Sequence, residues 1–98
     1  MNSEIIFEFY NNSDDGVLSL EGQIVQQPSA MTLDMPARDG TSPYLIIGKL
    51  HDHTFEGRNS ARAPGAPDVL AKWVRIDNRC VGTWIEAGSE YVFWFDLP

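Results

Sequence analysis

A chain of 98 residues, 43% hydrophobic and 21% charged, is composed like one globular domain spanning 1–98 rather than a disordered polymer. Fourteen acids against seven Lys and Arg give a net charge of −7, which repels a phosphate backbone and argues against nucleic-acid binding. No apolar run approaches the roughly 20 residues of a membrane-crossing helix, the N-terminus lacks a signal peptide's basic region, and the single Cys80 leaves no internal disulfide, so the expected location is the cytoplasm.

The first predicted strand runs from Glu4 to Tyr10. Ile5, Phe7 and Phe9 alternate with Glu4, Ile6, Glu8 and Tyr10, the period of a half-buried strand. Asn11 to Gly16, including Asp14-Asp15, is a dense turn signal. Val17 to Gln26 reads as the return strand of a hairpin, with Leu18, Leu20 and Ile24 on one side. Gly22 interrupts that side and is a candidate bulge.

Gln27 to Ser42 reads as a long connection that includes a short strand, Ala30 to Met35, with Met31, Leu33 and Met35 on one face. Pro43 to His51 is a further strand, with a candidate bend at Gly48. His53 to Arg58 is a shorter one around Phe55. Asn59 to Asp68, with two prolines, one glycine and three alanines, reads as an exposed and mobile connection.

The last third organises the chain. Val69 to Leu97 contains all three tryptophans, Trp73, Trp84 and Trp94, and is cut by two short polar interruptions. It reads as a three-stranded antiparallel meander. Placing the turns at Asn78-Arg79 and Gly88-Ser89 sets Trp73 opposite Trp84, Arg75 opposite Gly82, Trp84 opposite Phe93 and Gly82 opposite Phe95. One face then carries Trp73, Trp84, Tyr91, Phe93, Phe95 and Leu97, the expected core. The other carries Val74, Ile76, Val81, Ile85, Val92 and Trp94. It too is largely apolar, with Lys72 and Asp96 among its residues, so it is expected to be covered by another part of the chain, a second subunit or a ligand.

No helical pattern exceeds about two turns. The fold class is therefore all-β: a small antiparallel barrel or sandwich of about seven or eight strands, mostly hairpin-connected.

Chemistry-bearing residues are sparse. His51-Asp52-His53 with Glu56 is the one cluster with metal-ligand character, and two histidines on one strand face could meet one ion. Completing it needs Asp39, Glu56 or a distant acid, and the plainer reading is a solvated turn. Cys80 beside a hairpin, with no helix N-terminus to activate it, reads as an inert small residue. Asp14-Asp15, Glu86 and Glu90 read as turn chemistry. No phosphate-cradling loop is present.

These readings lead to a non-catalytic protein-interaction or assembly module, homodimeric, using the apolar face of Val74, Ile76, Ile85, Val92 and Trp94 or the two long connections, with no cofactor. The alternative is a barrel whose interior binds a small apolar or amphipathic ligand against Trp73, Arg75, Trp84 and Tyr91. A metal-dependent protein built on His51 and His53 is the third reading.

Overall fold

The computed structural model describes residues 4–12, 16–38 and 41–98. Asp14, Asp15 and Asp39 lie outside the described residues. Eight strands follow in chain order: β1 (Glu4–Tyr10), β2 (Val17–Gln27), β3 (Ala30–Met35), β4 (Tyr44–His51), β5 (Thr54–Arg58), β6 (Val69–Ile76), β7 (Arg79–Glu86) and β8 (Ser89–Asp96). Each pairs antiparallel with the next, and β8 returns to β1, closing an up-and-down barrel. The seam is short: among the described residues β1 meets β8 through Glu8↔Trp94, Phe9↔Phe93 and Tyr10↔Val92.

Alternation places the core. Ile5, Phe7 and Phe9 of β1, Met31, Leu33 and Met35 of β3, and Trp73, Trp84, Phe93, Phe95 and Leu97 of the meander are all buried. An eight-stranded barrel is just wide enough for its side chains to fill or for one small ligand. Here rings fill it. Trp84 lies 5.5 Å from Phe93, Phe93 lies 6.0 Å from Trp73, and Trp73 stacks on Phe55 at 5.6 Å. Each such pair adds about 0.5–1.5 kcal/mol beyond area burial.

The meander's register differs from the expectation by two residues at each turn. The turns are Asp77-Asn78 and Ala87-Gly88, so Trp73 faces Gly82, Arg75 faces Cys80, Trp84 faces Tyr91 and Gly82 faces Phe93. A shift of two preserves every side chain's face, whereas a shift of one would invert it. The cause is backbone conformation. Ala87 and Gly88 both take positive φ, 51° and 80°, as a type I′ turn requires. Glycine thus serves as its second central residue. Asp77, with φ 56°, is of a type that tolerates the left-handed region.

Three glycines have packing reasons. Gly22 lies in unbroken register with Ile5, without the expected bulge, and a Cβ there would come 2.8 Å from Met35 Cγ. Gly48 sits under the Trp73 ring. At Gly82 a Cβ would collide with the Lys72 carbonyl oxygen and stand 2.5 Å from Trp73 Cα.

The β3–β4 and β5–β6 connections leave the same end of the barrel as the Ala87-Gly88 turn. The second is fastened at its base by Asn59. The Asn59 backbone N–H donates to Val69 O at 3.1 Å, and Ser60 N–H donates to Leu45 O at 2.8 Å.

Candidate functional site

The open mouth at the end of the long connections is where polar chemistry enters the barrel. Glu86 is the last residue of β7, and its parity matches Trp84, so its side chain turns inward over the core. Its carboxylate accepts from Tyr44 Oη at 2.9 Å to Oε1 and 3.0 Å to Oε2, and Trp84 Nε1 donates to Oε1 at 3.0 Å. Burial, reinforced by donation to Glu86, pushes the Tyr44 phenol above its ordinary range. Tyr44 therefore stays a neutral donor at physiological pH.

Above this network lies a cleft of about 370 Å³ with Leu18, Leu20, Thr41, Ser42 and Tyr91 among its lining. Leu18 is 55% exposed although it lies on the inward parity of β2, because it stands at the rim. Tyr91 is half-buried, and Phe9, Tyr44 and Trp84 are buried. The rings behind the cleft interlock edge to face: Phe9 on Trp84 at 4.9 Å and Tyr44 on Trp84 at 5.1 Å. No ion pair to Glu86 occurs among the described residues, whose cation partnerships run from Arg38 to Glu4 and Glu21, Arg58 to Asp68, Lys72 to Glu56 and Arg79 to Asp96.

The four residues expected to form an interior ligand wall are not brought together. Trp73 is 1% exposed in the centre of the packed core. Arg75 belongs to the opposite end of the barrel and is exposed there. Its Nε donates to Asp77 O at 2.8 Å, and its Nη1 donates to Gln26 Oε1 at 3.1 Å. Only Trp84 and Tyr91 share the mouth. The wall fails because Arg75 sits one residue from the end of β6, where inward parity no longer means an inward side chain. Glu86 and Tyr44, by contrast, enter the site unforeseen. The available signal was the inward parity that Glu86 shares with Trp84. Tyr44 shares the inward parity of Ile46, but nothing local pairs it with Glu86, 42 residues away.

The five expected interface residues do share one side. Val74, Ile76, Ile85, Val92 and Trp94 project from the outer surface of β6, β7 and β8. Trp94 faces Val81 and Val81 faces Val74, forming a row across three strands. Val92 neighbours Tyr10 across the seam, and Ile85 faces Leu70.

His51 and His53 are exposed at the β4–β5 hairpin, where His51 pairs with Thr54 and His53 lies in the turn itself. They are therefore not two same-face residues of one strand. No group of three or more metal-ligating side chains occurs among the described residues. Cys80 is buried, and burial pushes its thiol up to about 11. No helix of the described residues is long and apolar enough to cross a membrane. Comparison of the chain with protein-family models, with curated proteins and with solved structures yields no match.

Proposed function

We propose that this barrel is a non-catalytic binding and assembly module that pairs with a second copy of itself through the outer face of β6, β7 and β8. The observation that carries the proposal is the in-register row Trp94–Val81–Val74, flanked by Ile76 at 60%, Ile85 at 40% and Val92 at 46% exposure. An aromatic and aliphatic centre of this kind suits a protein interface.

Charge favours the same side. Outward positions of β5–β8 hold three acids, Glu56, Glu90 and Asp96, against three bases, Arg58, Lys72 and Arg79. Outward positions of β1–β4 hold Glu4, Glu8, Glu21 and Asp34 against Lys49 alone. Two copies of a chain with net charge −7 repel one another. Approach through the balanced side meets the least repulsion. The cytoplasm is the proposed location, a compartment where a buried Cys80 persists as a thiol.

Sedimentation equilibrium tests the reading. The wild type should run at twice 11.0 kDa, and Val92→Glu or Trp94→Glu should run as a folded monomer. Val25→Glu, on the outer surface of β2 at a residue 54% exposed, should leave the dimer intact. A wild type that stays monomeric at about 100 µM, a concentration at which most specific interfaces are saturated, ends this reading.

A further inference from the structure

We infer that the mouth cleft is a binding site for a small organic ammonium ion, with Glu86 as its anionic anchor and Leu18, Leu20 and Tyr91 as its apolar wall. This site is independent of the outer face.

The argument starts from the Glu86 carboxylate. It is half-buried, and its donors among the described residues, Tyr44 Oη and Trp84 Nε1, are both neutral. They orient the group without cancelling its charge. A carboxylate offers about four lone-pair positions, so acceptor capacity remains, chiefly on Oε2. No Lys or Arg pairs with Glu86 among the described residues. The cleft over it, about 370 Å³, falls within the range of small-molecule sites.

The chemistry of the lining selects the ligand. A primary ammonium can donate to Oε2 as a charge-assisted hydrogen bond. A short alkyl or aryl body can then lie against Leu18, Leu20 and the half-exposed Tyr91 ring. An anion of the same shape is repelled by Glu86 and by the net charge of −7. A bare alkali cation satisfies the carboxylate but leaves the apolar wall wet. The packed interior beneath, with Trp84 at 2% and Phe93 at 0% exposure, confines the ligand to the mouth.

The test uses benzylammonium as probe and follows the three tryptophan indole N–H signals in a ¹H–¹⁵N spectrum. The Trp84 signal should shift saturably with benzylammonium while the Trp73 signal stays fixed. Benzoate, benzyl alcohol and potassium should each bind at least about tenfold more weakly, since each lacks one half of the recognition. Glu86→Gln, which keeps an acceptor for Tyr44 or Trp84, should lower affinity by at least about tenfold.

If Glu86→Gln disturbs the fold, Leu18→Lys at the exposed rim replaces it and should abolish binding by placing a competing amine in the cleft. Equal affinity for benzyl alcohol, an unshifted Trp84 signal, or full affinity in a folded Glu86→Gln or Leu18→Lys protein would each overturn the assignment.

Discussion

The six-membered ring of Trp73, on β6, lies against Gly48, on β4, so closely that a Cβ at Gly48 would meet Cη2 and stand 2.6 Å from Cζ2. β5 lies between these two strands in the barrel wall, so the contact crosses the interior. Phe55 stacks on the same indole at an interplanar angle of 14°. Trp73 is thus held between a flat ring and a bare backbone, and its buried Nε1 has no hydrogen-bond partner among the described residues.

Gly48→Ala should therefore destabilise the barrel by about 1–3 kcal/mol, the cost of overpacking a filled core. Trp73→Phe removes the atoms the new methyl would strike. In a double-mutant cycle the pair should couple, with Trp73→Phe/Gly48→Ala less destabilised than the sum of the single changes. Additive urea-unfolding energies would show that the two sites do not meet.

The Ala87-Gly88 turn stores strain. An L-residue in the left-handed region costs about 1–2 kcal/mol, and asparagine tolerates that region better than alanine does. Ala87→Asn creates the Asn-Gly pair that type I′ hairpins favour and should raise stability by about 0.5–1 kcal/mol. Gly88→Ala, at φ 80°, should act in the opposite direction. A drop in melting temperature for Ala87→Asn would mean that the turn is built otherwise.

That turn also marks where sequence reasoning reaches its limit. Side-chain period places Trp73, Trp84, Phe93 and Phe95 on the core face without a structure, because alternation is a local property. Which residue stands opposite which depends on backbone dihedrals at Asp77 and Ala87; aspartate tolerates a positive φ without requiring it, and alanine gives no sign of one. The mouth site was less legible still. Glu86 reads as a hairpin acid until Tyr44, 42 residues away, is seen to donate to it. Closure is a property of the whole sheet and rests, among the described residues, on three residue pairs between the first and last strands.

Alkaline pH should weaken the fold through two named groups. Burial raises the Cys80 thiol from 9.0 to about 11, against a smaller pull from Arg75. The Tyr44 phenol is raised above 10.0, first by burial and then by its bond to Glu86. In both cases the native state holds its proton to higher pH than the unfolded chain does. Their stabilisation is thus complete below the unfolded values and is lost as pH rises through the folded ones. For Cys80 that window runs from 9.0 to about 11, and for Tyr44 it opens at 10.0. Urea unfolding from about pH 8 to 11 should show the decline. Cys80→Ala should flatten its lower part and Tyr44→Phe its upper part. A double variant with the wild-type slope would assign the loss to other groups.

Asn59 closes the base of the longest connection with all of its side-chain capacity. Its Oδ1 accepts from Leu45 N–H at 2.9 Å and Ala61 N–H at 3.1 Å, and its Nδ2 donates to Pro43 O at 3.2 Å and Pro67 O at 2.8 Å. One amide thus ties the ends of the 59–68 segment to the start of β4. Asn59→Ala strips partners from four backbone groups and should cost about 1–3 kcal/mol, because part-buried donors and acceptors lose their bonds together. Asn59→Asp is the sharper variant. It keeps the acceptor but turns the donor end into a carboxylate oxygen facing two carbonyl oxygens. At neutral pH it should be the less stable of the two. Below the carboxyl's pKa, protonation restores one donor, so the deficit should shrink as pH falls. Hydrogen exchange at Leu45 and Ala61 reads the effect locally. If those amides stay as protected in Asn59→Ala, which removes their shared acceptor, as in the wild type, Asn59 does not hold the connection.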